Sequence, residues 1–99
     1  MSACVKLRLA DTSAALKSIE NEIRDSIAKS KEPEYAKSAS ATFEGSVQSF
    51  QRYRKEQCSF VFKLASVGNG AEDNQRACEA ELNIARMEQL RAASWWLKE

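Results

Sequence analysis

The stretch from Cys58 to Cys78, CSFVFKLASVGNGAEDNQRAC, decides the fold of this chain. Its centre, Gly-Asn-Gly at 68–70, contains residues that tolerate positive φ and commonly end a helix. Asn69 or Asp73 is then expected to cap the helix that follows. Cys58 precedes Asn69 by 11 residues and Cys78 follows it by 9, so the cysteines are nearly symmetric about the turn. This pattern predicts an antiparallel helical hairpin with both cysteines at the same height.

Helical periodicity extends in both directions from this hairpin. A mainly apolar stripe, which includes Arg54 and Arg86, recurs at helical spacing back to Phe43 and forward to Leu97. An earlier amphipathic segment covers residues 5–27, and Pro33 separates it from the second helix, because proline suits the first turn of a helix but not its interior. We therefore predict an all-α fold, either a three-helix antiparallel bundle or an elongated helical hairpin with a third helix packed on it.

Length and composition limit the class of protein. Ninety-nine residues form a single domain, 1–99, because so short a chain closes only one hydrophobic core. The net charge of +1 gives no argument for a nucleic-acid or anionic-membrane partner. Without histidine, His-based catalytic triads and His-containing metal sites are excluded. We expect no enzyme, no cofactor, no metal site and no membrane span.

The cysteines leave two interpretations open. Facing positions on a hairpin can approach to the roughly 5.5 Å between Cα atoms that a disulfide needs, and such a bond implies an oxidising compartment. Alternatively, Cys58 and Cys78 are small apolar side chains buried in a cytosolic bundle. Cys4 is the odd cysteine in both interpretations.

The segment from Phe50 to Leu90 resembles the LprI-like lysozyme inhibitor domain. That family has an aromatic-x-x-Tyr-Arg-Asp-x-x-Cys segment, then a glycine-rich loop, then Cys-x7-Arg-x3-Leu. Here the first motif is FQRYRKEQC at 50–58, with Phe for the usual Trp and Lys55 for the usual Asp. The matching residues, to which we assign structural roles, are Phe50, Tyr53, Arg54, Cys58, Cys78, Arg86 and Leu90.

The N-terminus is similar to another element of that family. Met1-Ser2-Ala3-Cys4 resembles its Glu-Met-x-x-Cys motif, which places a partner of Cys4 upstream of Met1. We therefore expect a chain that starts inside the motif, after removal of a signal peptide. Family members are mostly exported lipoproteins or periplasmic proteins of bacteria, so the resemblance implies a periplasmic or exported protein and favours the disulfide between Cys58 and Cys78.

The resemblance also implies a function. It indicates a binding protein of the bacterial envelope that inhibits an enzyme such as lysozyme by steric occlusion. One alternative is a periplasmic immunity protein that neutralises a secreted antibacterial toxin. Another is a structural or adaptor protein of the envelope without inhibitory activity. Each predicts a protein partner, and none fixes the oligomeric state.

Four residues are candidate partner contacts. Trp95 and Trp96 point about 100° apart on a helix, so both cannot enter one core. One of them then caps the bundle or serves as a binding anchor. Glu72 and Asp73 either stabilise the start of the third helix through its dipole or attract a cationic partner.

The hairpin register predicts contacts among the motif residues. If paired positions keep a constant sum, Phe50 opposes Arg86 and Arg54 opposes Leu82. Arg86 is then expected over the Phe50 ring, in a cation-π contact, or beside a carboxylate of the first helix.

Overall fold

The computed structural model describes residues 2–95, and these form three α-helices. They are α1 (Ser2–Ala28), α2 (Pro33–Ala65) and α3 (Ala71–Ser94). The described part of the chain has no strand. The all-α prediction is therefore confirmed, and so are both predicted breaks between helices.

Local residues set the helix boundaries. Pro33 is the first residue of α2, and just before it the Glu32 backbone N–H donates to Ser30 Oγ at 3.2 Å. Gly70, at φ +86°, precedes α3 in a left-handed conformation that favours glycine. The prediction that Asn69 or Asp73 caps α3 is wrong. Gly70 holds the cap position, where no side chain accepts a capping hydrogen bond.

The central element of the bundle is α3, which packs along both other helices, whereas α1 and α2 contact each other much less. Contacts of Arg8 with Glu81, and of Ser13 with Asn83, show that α1 and α3 run parallel. The bundle is elongated, with extents of 55 × 22 × 16 Å. The architecture is thus a three-helix bundle in which α2 is antiparallel to its neighbours.

The apolar core fills the half of the bundle that lies away from the α2–α3 turn. It is built from the inner stripes of α1 and α3, with aromatic residues of α2 packed against it. Its buried members are Leu16, Ile23, Ile27, Met87 and Leu90. Towards the turn, the buried side chains are instead Cys58, Ala80 and Asn83. That end has little apolar core of its own.

A disulfide joins α2 to α3 in the half that lacks apolar core. Cys58 and Cys78 are bonded across a Cα–Cα distance of 5.6 Å, and Cys58 is fully buried. Cys4 is a free and exposed cysteine. The predicted pairing is confirmed, and the interpretation with two free buried cysteines is wrong.

An ion pair links α1 to α2. Arg24 donates to Glu44 from Nε at 2.7 Å and from Nη2 at 2.9 Å. The Arg24 guanidinium also lies 5.6 Å from the centroid of the Phe43 ring. The hydrogen bonds from Arg24 lower the pKa of Glu44 below its ordinary value.

Stability at acid pH is expected to depend on this pair. Since the pKa of Glu44 is lowered by folding, its stabilisation is complete above the unfolded value of 4.5 and is lost as pH falls through the lower folded value. Glu44→Gln should therefore lose less stability than wild type between neutral and acid pH, as measured by urea midpoints. Glu88→Gln, at an exposed position, is the control. Identical pH slopes for Glu44→Gln and wild type would contradict the assignment.

Candidate partner-binding site at the hairpin turn

The end of the bundle that carries the α2–α3 turn exposes large apolar side chains. Val67 is 97% exposed, Leu64 62% and Phe60 55%. Phe60 and Leu64 are four residues apart and lie on one side of the last turns of α2, and Val67 follows in the turn two residues after that helix ends. We call Phe60, Leu64 and Val67 the apolar tip. Folding does not bury these side chains, which makes the apolar tip a candidate surface for interaction.

The apolar tip stands on an ordered base. The α2–α3 disulfide lies directly below it, because Cys58 is only two residues before Phe60. Beyond α2, Ser66 Oγ donates to the Lys63 carbonyl at 2.7 Å, and the Gly68 N–H donates to the Ala65 carbonyl at 3.1 Å. A turn held in this way loses little conformational freedom when a partner binds.

Charges around the tip balance. Glu72 and Asp73 lie in the first turn of α3, where negative charge is favourable. Arg76 lies 3.7 Å from each carboxylate, at the long end of the range for surface ion pairs. With Lys63, the segment 60–76 holds two basic and two acidic residues. The tip therefore offers apolar surface rather than net charge.

Trp95 lies at the opposite end of the molecule from Glu72. The length of α3, 24 residues, separates them by about 35 Å. Trp95 is 64% exposed and borders a groove of about 350 Å³ between α1 and α3, beside Ile23 and Arg91. Trp96 lies outside the described residues. A single compact contact therefore cannot include both Trp95 and Glu72, and their roles in partner binding stay predictions.

The motif residues lie in the middle of the bundle. The Arg86 guanidinium is 5.6 Å from the centroid of the Phe50 ring, so the contact expected from the hairpin register is present. Arg54 lies at the same distance from this ring. Arg86 Nη2 donates to Ser46 Oγ at 2.9 Å, while Arg86 Nε is buried without a hydrogen bond. Tyr53 is half exposed on the outer side of α2.

Asn83 is a central residue that sequence reasoning missed. It is fully buried, and its Oδ1 accepts a hydrogen bond from Arg54 Nη1 at 2.6 Å. Its Nδ2 donates to Thr12 Oγ1 at 3.2 Å and to Ser13 Oγ at 3.1 Å. One amide thus connects all three helices. Its signal in the sequence is a place in the buried stripe of α3, which contains Ala80, Asn83, Met87 and Leu90.

The described residues contain no group of three or more His, Cys, Asp or Glu side chains that could hold a metal ion. Across residues 2–95, no helix combines the length and the apolar character needed to cross a membrane.

Comparison with known proteins gave a match to a protein family. The family model described as lysozyme inhibitor LprI matches residues 1–90. The matched range includes the apolar tip, both disulfide cysteines and Asn83. No curated protein and no solved structure matches the chain.

Proposed function

Because this chain belongs to the lysozyme inhibitor LprI family, we propose that it binds a lysozyme-type enzyme and inhibits it without catalysing a reaction. The contact that we propose is the apolar tip, inserted at the mouth of the substrate cleft. The observation that carries this choice is the exposure of Val67, Leu64 and Phe60 above a disulfide-linked base.

The shape of the bundle suits a cleft. Enzymes that hydrolyse glycosidic bonds place two carboxyl groups on either side of the bond that they cleave, so the saccharide chain has to pass between them. The bundle is 22 × 16 Å across, and one of its ends carries the turn between α2 and α3. An end of this cross-section at the cleft mouth would exclude substrate without touching the catalytic groups.

The chemistry of the tip suits tight binding. A few residues at the centre of an interface contribute most of the binding energy when surrounding contacts exclude water, and aromatic side chains such as Phe60 are enriched in interfaces. Arg76 lies near both Glu72 and Asp73, so these carboxylates would not enter the interface as isolated ions, which is costly. Glu72, with a side chain 74% exposed, lies at the rim, where it would mainly affect the rate of association with a cationic target.

We also propose that the protein acts in the periplasm or outside the cell. A disulfide persists in oxidising compartments and is rare in the reducing cytosol. The bond between Cys58 and Cys78 is compatible with export. A lysozyme that attacks the cell wall would be encountered in the same compartment.

Val67→Asp tests the proposal most directly. We expect the wild-type protein to inhibit lysozyme-catalysed clearing of a peptidoglycan suspension, and we expect this inhibition to saturate as the concentration of the protein rises. Val67→Asp should weaken inhibition about thirtyfold, the effect of losing a central apolar contact. Because Val67 is 97% exposed, the substitution should leave the thermal unfolding midpoint unchanged. Tyr35→Asp, at an exposed apolar position in the first turn of α2, is the matched control and should inhibit like wild type.

Two results would contradict the proposal. Equal inhibition by Val67→Asp and wild type would place the contact elsewhere, and a loss in Trp95→Ala would then move it to the far end of α3. Absence of inhibition by the folded wild-type protein, across lysozymes of different classes, would reject the lysozyme as target. The immunity and adaptor alternatives would then be tested instead.

A further inference from the structure

A cleft lies between α1 and α2 in the middle of the bundle, below the apolar tip. It exists because α3 packs along both helices while α1 and α2 contact each other little. Its volume is about 480 Å³, within the range of about 300–1,000 Å³ that is typical of small-ligand sites. The polar side chains that line it are Ser13, Lys17, Glu20, Gln51 and Arg54.

Glu20 is the unusual member of this lining. It is only 7% exposed and lies in the inner stripe of α1 between Leu16 and Ile23. In the part of the chain that the structure describes, its carboxylate accepts no hydrogen bond and has no cation within 4.0 Å. Arg24 is close enough to Glu20 for electrostatic attraction, but the Arg24 guanidinium is hydrogen-bonded to Glu44. The Glu20 carboxylate oxygens still reach solvent on the side of the cleft, so a cationic group that enters the cleft can pair with them.

Positive charge lies at the other end of the cleft. Arg54 donates to Asn83, which in turn bonds Ser13, so the Arg54 guanidinium is level with the first residues of the lining. No carboxylate among residues 2–95 forms an ion pair with Arg54. Ser13 and Glu20 are seven residues apart on α1, which corresponds to about 10 Å along the helix. Lys17 lies between them at the exposed rim.

This arrangement selects one class of ligand. Lys17 and Arg54 disfavour a metal cation, and Glu20 disfavours an inorganic anion. A free amino acid is too short to reach both Glu20 and Arg54, because these opposite charges are separated by about 10 Å along the cleft. An extended peptide advances about 3.3–3.6 Å per residue, so three residues span this distance. The Phe50 ring and the Leu16 side chain provide an apolar wall for the side chains of the peptide.

We propose that the cleft binds a short peptide of about three residues, with its free amino group at Glu20 and its free carboxylate at Arg54 and Lys17. The site differs from the apolar tip in position and chemistry. Either proposal can therefore fail without the other, and Val67→Asp should bind peptide like wild type.

Trialanine is the probe. In an NMR titration of the full chain up to about 10 mM peptide, we expect saturable shifts confined to residues 13–20 and 50–54. N-acetyl-trialanine lacks the ammonium group and trialanine amide lacks the carboxylate, so both should bind about tenfold more weakly or worse.

Two variants test which charged side chains bind the ends of the peptide. Glu20→Gln keeps the size of the side chain and should weaken trialanine binding about tenfold. Lys17→Met changes an exposed residue that folding does not need, and it should weaken binding of trialanine but not of trialanine amide. Lys29→Met, also exposed but outside the cleft, is the control.

The proposal is overturned if trialanine gives no saturable shifts at these residues. It is equally overturned if both blocked peptides bind as well as trialanine, or if folded Glu20→Gln and Lys17→Met bind like wild type.

Discussion

Reduction of the disulfide between Cys58 and Cys78 is expected to lower the free energy of unfolding by about 3 kcal/mol, because the bond restrains the unfolded chain over a separation of 20 residues. This is a large effect for a small domain, since such domains unfold with only about 5–15 kcal/mol. The midpoint of thermal unfolding should fall by about 12–24 °C, given that each kcal/mol shifts it by about 4–8 °C at this chain length.

The loss of structure after reduction should begin at the α2–α3 turn. Met87, Leu90 and the α1 residues that pack on them hold the opposite half together, whereas Cys58 and Ala80 supply little apolar contact near the turn. After reduction, amide hydrogen exchange should therefore accelerate first in residues 60–76 and later around Phe43. The apolar tip would also lose its ordered base, so reduction should weaken lysozyme inhibition at temperatures at which the bundle is still folded.

Cys4 provides the control for the effect of reduction. Cys4→Ser removes the free cysteine and should keep the unfolding midpoint of wild type, with the same fall on adding reductant. Cys58→Ser combined with Cys78→Ser should unfold like the reduced protein and should not respond to reductant. A midpoint in wild type that reductant leaves unchanged would contradict the stabilising role of the bond.

The parts of the fold that the sequence predicted are those set by neighbouring residues. Pro33 begins a helix because of its own geometry, and Gly70 ends the turn because it adopts a positive φ. Cys58 and Cys78 form the predicted disulfide, since positions equidistant from a turn face each other in an antiparallel hairpin. The cap of α3 was mispredicted because Asn69 and Asp73 suit that role by residue type, whereas the backbone places Gly70 there.

The candidate site was harder to predict because exposure depends on how helices rotate against each other. The inner stripe of α2 passes through Cys58 and Val61, and Phe60 and Leu64 lie outside it. The sequence therefore shows that these two residues are apolar at positions that do not face the core. Trp95 and Glu72 are typical contact residues by type. Their separation of about 35 Å follows from the length of α3 and divides the predicted site in two.

Asn83 illustrates a contact that the sequence does not predict, because it depends on the register between α1 and α3. Asn83→Ala is expected to lower the free energy of unfolding by about 2–3 kcal/mol, since it leaves Arg54 without its acceptor and opens a cavity among three helices. The measurement is urea unfolding at neutral pH, with the disulfide intact. Asn74→Ala, an exposed asparagine in the first turn of α3, is the control and should stay within about 0.5 kcal/mol of wild type.

Asn83→Asp distinguishes the contribution of the hydrogen bonds to stability from that of the side-chain volume. A carboxylate at this position keeps an acceptor for Arg54, and the hydroxyls of Thr12 and Ser13 can rotate to donate to it. We therefore expect Asn83→Asp to lose less stability than Asn83→Ala at neutral pH and to lose more on acidification, when the new carboxyl is protonated. If both variants lose the same free energy at every pH, Arg54 does not need an acceptor at Asn83. If Asn83→Ala loses less than about 0.5 kcal/mol, water replaces the amide and the three helices are joined by packing and the disulfide alone.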